Sequence, residues 1–432
     1  MPKRRKIFYG WWIVATSAIL CFFAGGTFFY GFTVFFNPIR QTFRWTAAIT
    51  SVAFVLQRLE MGVLGPLAGF LVDRVGPRKL MLSGWGLIGL GFLLMSRINS
   101  LWEFYGSFLL IAMGFSFGSL VVMNTVIAHW FTKKRSRAMT LMSVGYGASG
   151  VLAPLLAFSI GQFGWRDTLT FIGIGLWVIG IPLSSLIRHR PKQYGYLPDG
   201  ETRVTIDEPT NVPNLHSSSE IEERDSVSSA TGFTAKEALM TRTFWLLAFV
   251  FFFQRIATSA VMVHIAPYLE SVNVPTAIGA TAVMGLTLCS LIGRIGFGFL
   301  GDFHNKRYLI AIALTLQAIG LFIFSLIDVN RIWLIIPFLL IYGTGFGGPV
   351  PLRPALQADY FGMSSFGTIM GLMASISMIG GLVSPVFAGW VFDVTGSYRL
   401  AWWVVTLTTV PAIPLILLAK PPRAKQTILS ES

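Results

Sequence analysis

Five ionisable residues lie inside long apolar runs, where charge is costly. They are Arg58, Glu60, Arg255, His264 and Arg294. A charge in the middle of a bilayer costs several kcal/mol, so such a residue is expected to face a polar cavity or a partner. With histidine neutral, three arginines against one glutamate leave a charge of +2. A cavity with this surplus suits an anion.

Arg294 is the foremost candidate for holding that anion. It lies eight residues before Asp302, which marks one end of its apolar run. At 1.5 Å per residue the depth is about 12 Å, near the midplane of a core roughly 30 Å thick. A guanidinium can grip a carboxylate through two parallel hydrogen bonds. The alternative is a structural arginine that pairs with Glu60 or with backbone carbonyls.

The other buried charges allow several roles. The imidazole of His264 titrates near neutral pH, so it can carry a coupled proton or form a hydrogen-bonding wall of a pocket. Arg58 and Glu60 are two residues apart, about 200° round a helix, and therefore face different ways. Glu60, a second proton-coupling candidate, can pair with Arg255 or His264 to close an outer gate. An ion pair within the first half is equally consistent.

The composition places these residues in a membrane protein. The 432 residues are 54% hydrophobic and 12% charged, against roughly 25% charged in a soluble domain. Backbone groups cannot stay unpaired in hydrocarbon, so runs of about 20 apolar residues must be helices. The sequence thus predicts an all-α membrane protein with twelve transmembrane helices, spans 1 to 12. They lie near 9–36, 46–72, 80–97, 101–130, 137–162, 167–187, 243–269, 275–300, 308–328, 332–352, 366–391 and 398–419.

A polar stretch divides the spans into two sets of six. Residues 188–242 hold nine of the 19 acidic residues and read as a flexible cytoplasmic linker between residues 1–187 and 243–432. With both termini inside, the inner segments hold 24 of the 33 Lys and Arg residues and the outer loops six. This bias predicts cytoplasmic termini in the inner (plasma) membrane. It also explains the net charge of +14 without nucleic-acid binding.

The two halves repeat each other. Gly69, Asp73 and Arg78 follow span 2, and a second copy at an offset of 229 follows span 8. Trp130-Phe131 is matched by Tyr360-Phe361 at an offset of 230. A near-constant offset indicates a duplicated unit, and therefore two pseudo-symmetric six-helix bundles, an architecture common among secondary transporters.

The first copy resembles the loop signature of the major facilitator superfamily, G-x-L-x-D-R-x-G-x-R-K. The resemblance implies the major facilitator fold and a charged latch on the cytoplasmic side, where Gly69 lets helices approach closely. In the second copy Phe303 stands where an arginine is expected, which leaves its latch role open. The predicted latch and gate residues are Asp73, Arg74, Arg78, Asp302, Arg58, Glu60 and Arg255.

Three further segments resemble the bacterial branch of monocarboxylate porters and the neighbouring oxalate/formate antiporters. They are Tyr9-Gly10-Trp11-Trp12, Gln57–Glu60 with Gly65–Gly69, and His264–Tyr268. These families carry a substrate arginine in span 8, which corresponds to Arg294. With His264, the pocket residues that the resemblance implies are Tyr30, Asn124, Leu152, Tyr342, Phe346 and Ser375.

The sequence departs from these families in ways that bear on coupling. Span 1 has no lysine, and Ser290 precedes Arg294 by four residues. Animal monocarboxylate porters carry Lys and Asp in those places, so coupling here falls to His264 or to protons that arrive with the acid. Residues 366–391 contain no Lys or Arg. Because oxalate/formate antiporters have a second cation there, its absence favours one carboxylate per substrate.

The sequence therefore predicts a secondary transporter, rather than an enzyme, that moves a small monocarboxylate such as lactate or pyruvate together with a proton by alternating access. The alternatives are an anion exchanger of the oxalate/formate type, an efflux carrier for hydrophobic compounds, and a sensor without transport. The chain has no phosphate loop, metal-site pattern or catalytic triad. We therefore expect no cofactor, metal or nucleotide, only the substrate, the proton and the bilayer.

Overall fold

The computed structural model describes residues 8–118, 120–200 and 232–422, and nearly all of them are helical. Within this part of the chain, ten helical segments are long and apolar enough to cross a membrane. Helices satisfy their own backbone groups, which is why a chain this apolar folds into them.

The first half is formed by eight helices and a π-helical turn that follows the first helix. They are α1 (Tyr9–Ala24), the π-helical turn (Gly25–Tyr30), α2 (Phe32–Phe43), α3 (Ala47–Val75), α4 (Pro77–Ser96), α5 (Leu101–Gly118), α6 (Leu120–Trp130), α7 (Arg135–Ala148) and α8 (Leu152–Ser185).

The second half begins with a short helix capped by Thr234 and continues with eight more. They are α9 (Ala235–Leu239), α10 (Arg242–Ser271), α11 (Thr276–Leu300), α12 (Lys306–Ser325), α13 (Ile335–Gly347), α14 (Pro349–Phe361), α15 (Phe366–Thr395), α16 (Arg399–Thr409) and α17 (Ala412–Leu418).

These helices account for the twelve predicted spans. The continuous apolar segment Arg135–Ser185 contains spans 5 and 6, since Gly164 breaks α8 with φ 79° and ψ 166°. Helix α3 supplies span 2. Helices α13 and α14 together form span 10, and α16 and α17 form span 12. The predicted fold class is confirmed.

One cation was assigned wrongly from the sequence. Arg353 directly follows predicted span 10 and is one of the 24 Lys and Arg residues assigned to inner segments, but it lies inside α14, where its guanidinium stacks over the Phe251 ring at 4.4 Å. It also donates to the Ser377 hydroxyl at 3.1 Å. Pro349 and Pro351 lie inside predicted span 10 and begin α14, because proline fits the first turn of a helix, where the N–H has no partner.

The two halves share apolar core at one end of the bundle. The largest buried cluster extends through the first half from Ile13 to Ile187 and takes in Ala355, Ala358 and Phe366 of the second half. We call this the basic end, because the loops around Arg74, Arg135 and Lys306 lie there. It is the end for which the sequence predicts a cytoplasmic position.

Glycine makes the close contact between α3 and α15 possible at this end. A Cβ on Gly69 would overlap the backbone carbonyl of Gly367, and one on Gly371 would meet the backbone of Gly65. The two helices therefore pack backbone to backbone across the boundary between the halves, as the sequence predicted for Gly69.

Candidate functional site

Arg294 lies where the two halves meet. Its side chain is buried, with 6% of the residue exposed, on α11 of the second half. One of its guanidinium nitrogens, Nη1, donates to the Ser143 carbonyl of α7 in the first half at 2.9 Å. The Thr140 hydroxyl of α7 donates back to the Arg294 carbonyl at 3.4 Å. Arg294 thus bonds across the boundary that must open and close if the halves move.

Two glycines make room for this arginine. A Cβ on Gly147 of α7 would lie 3.0 Å from Nη1 of Arg294. A Cβ on Gly347 of α13 would overlap the Ser290 carbonyl and approach the Arg294 amide nitrogen to 2.9 Å. A larger residue at position 347 would meet backbone and push α11 away, whereas one at position 147 would displace the ends of the Leu291 and Arg294 side chains.

Asn124 carries a buried polar atom that has no partner among the described residues. It lies on α6 with 7% of its surface exposed, and its Oδ1 accepts no hydrogen bond. Buried amides are nearly always satisfied, so an orphaned one needs an explanation.

Tyr342 and Phe346 share a face of α13, as their spacing predicted. Their rings stack with centroids 6.4 Å apart and planes 7° from parallel. Tyr342 is 1% exposed, and its hydroxyl donates to the Ala257 carbonyl of α10 at 3.3 Å. Gly343 of the same helix packs against Cys289 of α11. This pair therefore lies on the helix that backs the Arg294 segment.

Two other predicted pocket residues, Ser375 and Leu152, make contacts away from Arg294. The Ser375 hydroxyl of α15 donates to the Gly62 carbonyl of α3, which ties the halves together. Leu152 lines an apolar cavity of about 230 Å³ with Phe23 and Thr27, and every residue of its wall belongs to the first half. The structure does not bring Leu152 into contact with Arg294.

His264 lies within the second half and has partners for both ring nitrogens. Nε2 is 2.8 Å from the Pro385 carbonyl, which can only accept, so Nε2 carries a proton. Nδ1 is 3.3 Å from the Tyr398 hydroxyl, which donates to it when the ring is neutral. His264 thus joins span 7 to spans 11 and 12 by hydrogen bonds, and its role as a proton carrier or as a wall of the pocket stays a prediction.

The remaining gate candidates are only partly described. The side chains of Tyr30, Arg58 and Glu60 lie outside the described residues. Arg255 is exposed, and its side chain runs beside Gly381 of α15, where a Cβ would lie 3.1 Å from it.

Asp73 joins the halves at the basic end. Its carboxylate accepts the backbone N–H groups of Gly367 at 3.3 Å and Thr368 at 3.1 Å, and the Thr368 hydroxyl at 3.0 Å. It therefore caps the N-terminus of α15, where helix dipole and free amides favour an anion. Arg74 and Arg78 are exposed nearby, and Arg74 stacks on Phe70 of its own helix.

The second copy of the motif makes the matching contact. Asp302 accepts the Ser136 N–H of α7 at 2.9 Å and pairs with Arg137 at 3.0 Å. The Arg137 guanidinium stacks on Phe303 at 4.5 Å. The phenylalanine that departs from the signature is thus a platform for an arginine supplied by the opposite half.

Burial dominates the electrostatics of both aspartates. It raises the pKa of Asp73 above its ordinary value, against the lowering effect of the Thr368 and Gly367 donors. It raises the pKa of Asp302 likewise, against the Ser136 N–H and Arg137. Closing the basic end therefore removes both carboxylates from water at a cost that the opposing donors only partly offset.

The sequence missed an ion-pair cluster beside them. Arg135 of α7, 6% exposed, donates to Asp359 of α14 at 2.6 Å. Lys306 of α12 reaches the other oxygen of the same carboxylate at 2.7 Å. Asp359 directly precedes the repeated Tyr360-Phe361 pair, and that position in the repeat was the available signal.

The fold and this boundary site define an integral membrane protein of the transporter class, not an enzyme. The chain belongs to the Major Facilitator Superfamily, whose sequence profile matches residues 18–348 and 247–432.

Individual relatives agree with this assignment. Monocarboxylate transporter 12 of Mus musculus is 27% identical over 430 residues, which cover 91% of this chain and 82% of that protein. The oxalate:formate antiporter of Oxalobacter formigenes is 23% identical and covers 88% and 85%. The crystal structure of the human organic anion transporter MFSD10 (TETRAN) superposes with a TM-score of 0.70 at 12% identity, over 94% and 99% of the two chains.

Proposed function

We propose that this protein carries small monocarboxylates such as lactate or pyruvate, together with a proton, across the plasma membrane. The two halves alternate around a site at Arg294, and the basic end faces the cytoplasm with both termini. The observation that carries the proposal is the buried guanidinium of Arg294 on the boundary between the halves.

Substrate binding and movement are linked through the Ser143 carbonyl. A carboxylate offers the guanidinium two charge-assisted bonds, roughly twice as strong as bonds to a neutral group. An entering carboxylate therefore competes with the Ser143 carbonyl for Arg294. When the carboxylate binds, Arg294 exchanges its hydrogen bond to Ser143 of the first half for hydrogen bonds to the substrate. The halves can then separate with the substrate bound.

Asn124 supplies a second polar group for the same cargo. Its buried amide oxygen accepts nothing among the described residues, and a hydroxyl on the carbon next to a carboxylate is a donor of the right kind. The amide nitrogen can donate to the carboxylate itself. The hydroxyl of lactate can donate to the Asn124 oxygen, whereas the keto oxygen of pyruvate can only accept and would take an N–H of the amide nitrogen.

The names of the relatives support an organic anion and favour one alternative. One relative is named as a monocarboxylate transporter and another as an oxalate:formate antiporter. Exchange of two anions without a proton is therefore the second candidate. His264, whose ring nitrogens are both engaged in the second half, and Glu60 are the proton carriers under the first candidate.

Uptake of labelled lactate into proteoliposomes tests the central assignment. We expect Arg294→Lys to lower the initial rate at limiting substrate about 10-fold, because a bidentate pair worth about 3 kcal/mol becomes a single contact worth about half as much. Arg166→Lys is the matched control, since Arg166 likewise donates to backbone carbonyls, those of Ser96 and Ile98, but at the other end of the first half. Wild-type uptake by Arg294→Lys and Arg294→Ala would overturn the proposal.

An imposed pH gradient separates symport from exchange. Under symport, an acidic exterior drives lactate accumulation, and His264→Gln or Glu60→Gln abolishes the pH response while leaving counterflow of preloaded lactate. Counterflow that needs internal anion and ignores the gradient would replace symport by exchange and leave Arg294 in place.

A further inference from the structure

The first residues after span 6 fold back onto the bundle. We call residues 188–200 the strap. It ends in Pro198-Asp199-Gly200, and the Asp199 carboxylate accepts three consecutive backbone N–H groups of the loop between spans 4 and 5. Oδ2 takes those of Thr132 at 2.9 Å and Lys133 at 2.8 Å, and Oδ1 takes that of Lys134 at 3.1 Å.

Aromatic contacts hold the strap in place. The Tyr196 ring lies 5.9 Å from that of Trp130 and 6.0 Å from that of Phe8. The Trp130 indole donates to the Arg188 carbonyl at 3.0 Å. Asp199 itself has φ 60°, a left-handed conformation that Asp, Asn and Gly tolerate best. This backbone conformation orients the Asp199 carboxylate toward the amides of residues 132–134.

The loop that Asp199 binds leads directly into the contacts between the halves. The next three residues are Arg135, which pairs with Asp359, and Ser136 and Arg137, which both bind Asp302. All three bonds of Asp199 go to the first half. Its effect on the second half must therefore pass through the loop.

We propose that Asp199 is a positioning residue for closure of the basic end. Its carboxylate fixes residues 132–134, so the loop that leads into α7 is already ordered when the second half arrives. Consecutive backbone amides that point to one spot are satisfied best by an anion. Because residues 132–134 are ordered before the halves meet, closure itself loses less conformational entropy. The inference rests on the proposed alternation of the two halves.

Distances between spin labels at the basic end test it. Lys79→Cys of the first half and His304→Cys of the second are both at exposed positions, in a background with Cys21 and Cys289 replaced by alanine. Asp199→Asn and Asp199→Gly keep a residue that accepts positive φ but remove the carboxylate. Asp167→Asn, exposed at the other end, is the control for loss of one charge.

We expect both Asp199 variants to raise the population with separated labels about fivefold, the effect of losing about one net hydrogen bond, and Asp167→Asn to leave it unchanged. Thermal unfolding in the same detergent separates the roles. A purely structural residue would lower the unfolding temperature and leave the label distances at their wild-type distribution, which would overturn the inference. If wild-type distances ignore substrate and pH altogether, the alternation itself fails instead.

Discussion

Asp359→Asn is expected to open the basic end. The Asp359 carboxylate bridges Arg135 of the first half and Lys306 of the second, at 2.6 and 2.7 Å. Only the bond to Arg135 crosses between the halves. The neutral amide keeps the size of the side chain and removes the charge that compensates the buried guanidinium.

The magnitude follows from the burial of the pair. Exposed ion pairs contribute about 0–1 kcal/mol, and removing one partner of a fully buried pair costs about 3–5 kcal/mol. The Arg135 side chain is 7% exposed and that of Asp359 is 35%, so the pair lies between these limits. Arg135 keeps its bonds to the Phe131 and Ala128 carbonyls. A loss of about 2 kcal/mol corresponds to a shift of about 30-fold in the ratio of closed to open molecules.

The spin-label pair at residues 79 and 304 measures this ratio directly. Lys306→Gln is the matched control, because it breaks the Asp359 bond that lies within the second half and is present in both states. We expect Asp359→Asn to move most molecules to the longer distance and Lys306→Gln to leave the distribution near that of the wild type. Equal shifts in the two variants, or none in Asp359→Asn, would refute the reasoning.

Two further predictions use the same end of the bundle. Gly69→Ala places a methyl group on the Gly367 carbonyl. This overlap costs about 1–3 kcal/mol, so the ratio of closed to open molecules should fall at least fivefold. Gly86→Ala, whose methyl group meets nothing within 4 Å, should leave the spin-label distances unchanged, and equal distance distributions in the two variants would contradict the packing argument. Burial and the neighbouring Arg190 lower the pKa of His189 from its ordinary 6.5, so the docked strap binds fewer protons than the released one. Docking is therefore complete above pH 6.5 and weakens as the pH falls below it. After correction for the intrinsic pH dependence of amide exchange, the protection factors of residues 132–134 should fall on acidification in the wild type but not in His189→Gln.

The helical architecture could be predicted from the sequence because each pattern used has a physical cause. Twelve apolar runs must be helices in a bilayer, and a repeated offset must be a repeated unit. Gly69 and Asp73 could be placed because spacing fixes which helix end each one reaches. Arg353 could not, since hydropathy ended span 10 at residue 352, whereas the helix continues to Phe361.

The side-chain pairs that join the two halves could not be predicted from the sequence alone. Asp199 counted among the acids of a solvated linker, although the described part of that linker, residues 188–200 and 232–242, packs on the bundle. Arg135 and Arg137 counted as topology signals. Their roles depend on which carboxylates of the second half they meet, and sequence distances of 224 residues for Arg135 and Asp359 leave no local trace. The resemblance placed His264 in the pocket, and the structure adds that its hydrogen bonds lie within the second half.

The two halves close on each other by exchanging helix caps. Asp73 of the first half binds the first amides of α15, and Asp302 of the second binds the Ser136 amide of α7. Each motif thus satisfies groups that its own half leaves exposed, and neither cap exists when the halves are apart. The exchange explains why Phe303 is tolerated in place of an arginine, because the cation at that site, Arg137, comes from the opposite half and needs a ring to stack on. Closure of this kind requires that the loop before α7 is ordered. The Asp199 carboxylate orders that loop at residues 132–134, and the Asp359 carboxylate then binds Arg135 across the boundary between the halves.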